Sequence, residues 1–427
     1  MKRAQKLAFA LTPVLLLFGL GEVSVRVAGG EECASIIPAA TGWDTMVGDP
    51  RYLWRLEPGR AFESPGGSSV TNAAGLRTRL EPDDPKGDDE VRILVTGDSS
   101  VYGWGQTDGL TYAEQLEAEL NRNLRGRRFS VVNLGVPGYS TEQTARLLED
   151  VGWRYQPDLL VVHNIFSDCN IDAFQDKAAL ALADPDSSPL GRVMHQSRLY
   201  CAAWMPWARY QANLNQENNR VLMPGMPTGP NAATTLEKID QVIDLSRVPL
   251  RDYLSNLSAF KEDAESRGAK MLLAPLAQEW DVGVWTAPMA SPADGQVLPW
   301  HPYREAQAAW AQANDVGRVD LPGAFAQSGG ASPKGLFIDH MHPSHRGAQV
   351  MAWAVTDHIR QHPELVGLEP KDVLPLPARI ALKTAPMHPG GPGGAGGHGP
   401  AKGSGHHKGP NSRRGGHAGP PPPDRRH

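Results

Sequence analysis

The chain has 427 residues, 40% of them hydrophobic and 21% charged, with a formal net charge of -5. That is enough apolar material for one large domain or two modest ones, and it excludes wholesale disorder. Residues 386–427 hold six Lys or Arg against one Asp, so this tail is +5 and the remainder -10, an acidic body that argues against a nucleic-acid partner.

The chain begins Met1-Lys2-Arg3-Ala4-Gln5-Lys6 and continues with an uncharged apolar run from Leu7 to Leu20. Residues 1–29 therefore read as a basic n-region followed by an h-region. The apolar run is shorter than the roughly 20 residues of a membrane span, although weaker apolar character continues past Glu22 and Arg26 to Ala28. Two readings stand: a signal peptide cleaved near Val27-Ala28-Gly29, or an uncleaved membrane anchor, supported by Pro13 and the lack of an Ala-x-Ala. Both export the rest of the chain to the periplasm or cell envelope and leave the amino end cytoplasmic.

A polar, Gly- and Pro-rich approach follows over residues 30–90 and contains "VTNAAGLRTR" at 70–79. Strand-like runs then stand at Val91 to Thr96, Phe129 to Leu134, Asp158 to Ile165, Lys270 to Ala274 and Gly317 to Leu321. Helical patterns separate most of them. Apolar or small residues recur at Tyr112, Leu116 and Leu120, at Ala145, Leu148 and Gly152, and at Leu250, Leu254, Leu257 and Phe260. Strands alternating with helices of this length predict an α/β domain over 91–376, its parallel sheet covered on both faces.

One connection, about 168–246, is long enough to be an insertion or a functional lid. Its Trp204 and Trp207 are candidates to stack on a sugar or acyl group, or simply to pack the insertion onto the sheet. Cys33, Cys169 and Cys201 are too few for a disulfide framework, and Cys169 with Cys201 is a candidate pair in an oxidising compartment. Residues 377–427 read as a disordered basic tail, collapsing from about Pro386 to Gly, Pro, His, Lys and Arg.

The stretch "VTGDSSVYG" at 95–103 sits where the first strand meets the following helix. A phosphate cradle there would need Gly-Lys followed by Ser or Thr, or a G-x-G-x-x-G straight after the strand, and neither occurs. What remains is an exposed nucleophile or a plain turn and helix cap. A nucleophilic Ser99 needs a histidine to take its proton and an acid to orient that histidine. The stretch "GLFIDHMHPSHRGAQVMA" at 335–352 supplies Asp339 and His342, three apart, before the last helix. That is the role logic of a catalytic triad. His340 and His345 in the same stretch leave a metal cluster as the alternative.

Four blocks in order, "GDSS" at 97–100, "NLGVPGYST" at 133–141, "PDLLVVHNIFSD" at 157–168 and "DHMHPS" at 339–344, together resemble the SGNH, or GDSL-type, hydrolases. The resemblance implies a flavodoxin-like three-layer α/β/α sandwich with a central parallel sheet. It implies Ser99 as nucleophile, Gly138 giving a backbone N–H to the oxyanion, Asp339 and His342 completing the triad, and chemistry without a metal or cofactor. The third block departs from the family's usual Gly-x-Asn-Asp, because gapless counting puts Ser167-Asp168 on the Asn-Asp pair. The side-chain donor to the oxyanion is then Ser167, or Asn164 three residues earlier.

The Asn-x-x-Gly-Leu-Arg stretch at 72–77 also resembles exported, membrane-anchored members of that family, among them polysaccharide O-acetyltransferases and carbohydrate esterases. What this implies is ester hydrolysis on an O-acylated envelope carbohydrate through an acyl-Ser99 intermediate, or transfer of the acyl group to a sugar hydroxyl. A lipid esterase or thioesterase would want a wide apolar groove, which the mixed composition of 168–246 does not favour. A non-catalytic glycan-binding protein that keeps the fold is the remaining alternative, against which the intact Ser99, Asp339 and His342 argue.

Overall fold

Five short strands, almost wholly buried except at one edge, form the centre of the computed structural model: β1 (Glu90–Thr96), β2 (Arg128–Asn133), β3 (Leu159–Val162), β4 (Lys270–Leu273) and β5 (Gly317–Arg318). The structure describes residues 3–30, 46–64, 67–171, 175–184, 196–203, 234–235, 239–283, 296–329 and 333–375. Trp204, Trp207 and the tail 377–427 lie outside the described residues.

The strands pair in the order β5-β4-β3-β1-β2, every pair parallel, with Ile93 opposite Leu159 and Val95 opposite Asn133. All five stand where the sequence pattern predicts them. β3 is apolar throughout because a parallel strand covered on both faces has no solvent side to alternate toward, whereas β1, equally buried, also carries Glu90 and Arg92, which pair with each other. The predicted run 158–165 ends early as a strand, at Val162, and the last run shortens to two residues at the sheet edge. This strand order is the doubly wound, flavodoxin-like one, whose ligand crevice lies at the carboxyl ends of β1 and β3, where the order reverses.

Helices cover the sheet as the three-layer sandwich requires. The Tyr112–Asn123 helix packs on β2 and against the His345–Gln361 helix, while the Leu250–Ser266 helix packs on β4 and against the Thr141–Asp150 helix. Two of these starts are written locally. The Glu114 carboxylate accepts from both the N–H and the hydroxyl of Thr111, and the Ser344 hydroxyl accepts from the Gly347 N–H.

The approach segment is built into the body. It forms two antiparallel hairpins, Met46–Asp49 with Leu53–Leu56 and Ala61–Ser64 with Gly67–Val70, and Leu53, Trp54, Leu56 and Leu76 join the core. The ends of the insertion are tied together: Arg247 donates its N–H to Asn170 O, and Asp176 donates its own to Arg247 O.

One expectation, the Cys169–Cys201 pair, is corrected. The amino-terminal segment forms a helix, Arg3–Val27, but among the described residues no helix is long and apolar enough to cross a membrane. Glu22 and Arg26 break its apolar run, pair with each other at 2.6 Å and turn to the body. There the Glu22 carboxylate accepts from Ser197 Oγ and the N–H groups of Arg198 and Leu199. Cys169 and Cys201 do not pair: Cys169 is a free thiol in the core, whereas Cys201 is disulfide-bonded. Its position directly after the third block commits Cys169 to packing, and burial pushes its thiol above the ordinary range.

Candidate active site

The nucleophile turn leaves β1 at Thr96 and opens the short helix Ser99–Tyr102 with Ser99 as its first residue. Asp98 caps this helix, its carboxylate accepting from the Ser100 N–H at 3.0 Å, and burial raises that carboxyl's pKa. The first N–H groups of any helix lack intrahelical partners. The Ser99 amide accordingly has no acceptor among the described residues.

Arg77, the arginine of the Asn-x-x-Gly-Leu-Arg stretch, grips the far end of the turn. Its guanidinium donates to Gly103 O at 2.7 Å, Gln106 O at 2.7 Å and Asp108 Oδ1 at 2.7 Å, and lies over the Phe62 and Tyr102 rings. Asn72 folds the stretch itself, its Oδ1 accepting from the N–H groups of Ala74 and Leu76. Gly75, at φ +79°, runs so close to Leu56 O that a Cβ would lie 2.4 Å from it, so no side chain fits. The motif thus acts by holding the loop beyond Ser99.

The second block turns from β2 toward the Thr141–Asp150 helix. Asn133 pins the turn to the nucleophile helix by donating to Val101 O at 3.0 Å and accepting from the Gly135 N–H. Gly138 takes φ +77°, with the Trp54 ring 3.1 Å from where a Cβ would stand. Its carbonyl accepts from Arg247 at 2.8 Å, and its N–H has no acceptor among the described residues.

The third block separates its two candidate donors. Asn164 is fully buried, and its amide nitrogen is committed to Tyr139 O at 3.3 Å and Thr144 Oγ1 at 3.1 Å, which uses both of its hydrogens. Ser167 is partly exposed in the turn after β3, and its hydroxyl has no partner among the described residues. Asp168 is buried and accepts from the Thr141 N–H and hydroxyl through Oδ1, while Oδ2 is unpaired. Burial pushes its pKa up to about 7.

The fourth block closes the arrangement. Ile338 N–H donates to His342 O and Ser344 N–H to Leu336 O, folding residues 336–344 into a tight hairpin before the last helix. His342 Nε2 stands 2.8 Å from Ser99 Oγ, and His342 Nδ1 stands 2.7 Å from Asp339 Oδ2. Asp339 Oδ1 accepts from the N–H groups of Met341 and His342 at 2.9 and 2.8 Å. Burial alone would raise the Asp339 pKa. The His342 ring and the two amides overcome it and hold the carboxyl well below the usual range. Trp104 covers one side, its ring 5.9 Å from that of His342. The hairpin is fastened to the nucleophile side by Ser100 Oγ on Met341 O and Gln106 Nε2 on Pro343 O.

The other histidines go elsewhere. His345 Nε2 accepts from the Thr107 N–H at 2.9 Å, and His340 stacks beside Trp280. Among the described residues no group of three or more His, Cys, Asp or Glu side chains is placed to hold a metal ion. Ser99, His342 and Asp339 are therefore brought into one hydrogen-bonded chain, with Gly138 gripped on the neighbouring loop and Asn164 turned into the core. Sequence reasoning missed Trp54, Arg247 and its partner Asp176. No local signal marks them, since Trp54 reaches its partner Pro137 across 83 positions and Arg247 reaches Asp176 across 71.

The GDSL-like lipase/acylhydrolase family model matches residues 95–350, more than half of the chain and all four blocks. Among solved structures, the chain is similar to LAE5, an α/β hydrolase enzyme from the metagenome of Lake Arreo, Spain. The two are 16% identical over 63% of this chain and 94% of that one, with a TM-score of 0.39. It is also similar to Axe2, an acetylxylan esterase from Geobacillus stearothermophilus, at 15% identity over 67% of this chain and 97% of that one, again with a TM-score of 0.39. At these scores neither likeness carries an argument about activity. The sequence matches none of the curated proteins.

Proposed function

Because this chain belongs to the GDSL-like lipase/acylhydrolase family and is an ester-bond hydrolase, we propose that it works through an acyl-Ser99 intermediate on O-acylated, chiefly acetylated, envelope carbohydrate. The observation that carries the mechanism is the unbroken hydrogen-bonded chain from Ser99 Oγ through His342 to Asp339. As Ser99 Oγ attacks the ester carbonyl, its proton passes to His342 Nε2, and the Asp339 carboxylate stabilises the resulting imidazolium at Nδ1. Negative charge gathers on the former carbonyl oxygen, for which the amides of Ser99 and Gly138 are the free donors, with the Ser167 hydroxyl as a third. His342 then returns the proton to the departing sugar oxygen. Water, activated by the same nitrogen, releases the acid from Ser99 and restores the enzyme.

The carbohydrate substrate rests on the resemblance of the 72–77 stretch to exported carbohydrate esterases, and export rests on the basic and apolar amino-terminal segment. A second reading, transfer of the acyl group to a sugar hydroxyl, needs only a different acceptor for acyl-Ser99. It rests, like the carbohydrate substrate, on the resemblance of the 72–77 stretch, whose relatives include polysaccharide O-acetyltransferases. The test is a fluorophosphonate label on the purified protein with the modified residue mapped, followed by acetate release from acetylated polysaccharide against release from lipid esters. Labelling at Ser99 and preference for the polysaccharide are expected. A label elsewhere, or a preference for long-chain lipid esters, would refute the corresponding half of the proposal.

A further inference from the structure

Gly138 lies between two peptide units whose carbonyls are both held from outside the loop. The Pro137 carbonyl accepts from Trp54 Nε1 at 3.0 Å, and the Gly138 carbonyl accepts from Arg247 Nη1 at 2.8 Å. The first contact matters most. Pro137 C=O and Gly138 N–H belong to one planar peptide, and in the trans form they point in opposite directions. Whatever fixes that carbonyl fixes the direction of the Gly138 N–H. A hydrogen bond on the carbonyl also polarises the unit and strengthens its N–H as a donor.

The two holding groups are themselves locked. Trp54 is buried, its backbone carbonyl accepts from Tyr139 Oη at 2.7 Å, its ring meets Tyr139 edge-on at 6.1 Å, and the Arg247 guanidinium lies 5.3 Å from its ring centre. Arg247 is bound bidentately by the buried Asp176, at 2.9 and 2.7 Å, and donates to Gln143 Oε1 at 2.8 Å. The residue before Trp54 is strained: Leu53 takes φ +69°, a left-handed conformation disfavoured for a branched side chain and kept where the surroundings over-determine it. That residue closes the three-residue turn of the hairpin against Asp49 and so fixes where the strand that carries Trp54 begins.

We infer that Trp54, backed by Arg247 and Asp176, is a positioning residue for catalysis, aligning the Gly138 N–H on the oxyanion by holding the carbonyl of the same peptide. The inference rests on the acyl-Ser99 mechanism. It adds that the hairpin upstream of the family-matched region and the root of the insertion both set the efficiency of the reaction. Both Trp54 and the Asp176–Arg247 pair act through Gly138 and touch no substrate.

Trp54→Phe removes the donor while keeping an aromatic ring on Gly138, and it is the primary variant. Arg247→Met would strand the Asp176 carboxylate in the core and test folding instead. A misaligned donor costs less than a deleted one, so kcat for an activated acetyl ester should fall roughly tenfold with KM within about twofold, since the oxyanion bond tightens as charge develops. The Gly138 amide resonance should shift with it. If Trp54→Phe folds poorly, benzothienylalanine at position 54 keeps the bicyclic ring without the N–H and should show the same split. A kcat within twofold of wild type, or a loss carried equally by KM, would overturn the inference. Ser99→Ala and the fluorophosphonate map, run in parallel, separate the two failures. An active Ser99→Ala protein sinks the mechanism and the positioning role together, whereas a labelled Ser99 with an unimpaired position-54 variant sinks the positioning role alone.

Discussion

The Asp339 carboxylate holds His342 at two points, its Oδ2 2.7 Å from the ring Nδ1 and its Oδ1 2.8 Å from the same residue's backbone N–H. The three-residue spacing makes this possible, because the hairpin returns the chain so that one carboxylate reaches both groups. Asparagine supplies one acceptor where two are in use, and its N–H₂ facing Nδ1 enforces the wrong tautomer. Asp339→Asn should therefore lower kcat by roughly 10³- to 10⁴-fold, with KM for a small acetyl ester little changed. Steady-state kinetics decide it, and a variant within tenfold of wild type would show that His342 is oriented by other means.

Ser99→Ala should reduce turnover by on the order of 10⁴-fold, and His342→Ala should be as severe, because the two act as a unit. His340→Ala and His345→Ala should be milder, since one stacks beside Trp280 and the other caps Thr107. Rates of acetyl ester hydrolysis for the four variants check the ranking. A greater loss in His340→Ala or His345→Ala than in His342→Ala would reverse the assignment.

Ser167 and Asn164 should separate by the kind of damage. Ser167→Ala is expected to lower kcat with KM unchanged, as loss of a charge-stabilising donor does, and to leave stability intact. Asn164→Ala strips bonds from buried Tyr139 O and Thr144 and should lower unfolding stability by about 1–3 kcal/mol. Urea titrations beside kinetics distinguish them. A stable Asn164→Ala protein with a selective kcat loss would return the donor role to Asn164.

Asp168 predicts a pH dependence of stability. Burial raises its folded pKa to about 7, above the ordinary carboxylate value, so the folded state holds a proton that the unfolded state releases. The contribution is fully present below the unfolded pKa, near pH 4, and is lost as pH rises toward 7. Asp168→Asn keeps an oxygen for Thr141 and removes the titration. Compared with wild type, the variant should gain ~2–4 kcal/mol of relative stability between pH 4 and pH 8. Equal slopes in urea unfolding across that range would show that Asp168 stays ionised in the folded protein.

Arg77→Lys should cost about 2–4 kcal/mol of stability, because an ammonium cannot span Gly103 O, Gln106 O and Asp108 together or stack between Phe62 and Tyr102. Thermal unfolding measures it. A melting temperature unchanged within a degree would show that the stretch 72–77 does not hold the nucleophile loop.

What the sequence determined by itself is whatever depends on near neighbours. The strands are legible because burial on both faces of a parallel sheet leaves short, largely apolar runs, cleanest in β3, and the helix starts at Tyr112 and His345 are legible because their caps lie within four residues. Ser99 at the strand-to-helix turn and the Asp339–His342 pair are legible for the same reason. Each is a local device whose chemistry restricts the residue types. The tertiary structure decided what depends on contacts far apart in the chain. It turned Asn164 into the core against Tyr139 and Thr144 and left Cys169 a free thiol apart from Cys201. It drew Glu22 and Arg26 toward residues 196–199, and it brought Trp54, Arg247 and Asp176 around Gly138. No periodicity or motif encodes these, because each partner is chosen by the packing of elements tens of residues apart, and a buried hydrogen bond forms only once that packing exists.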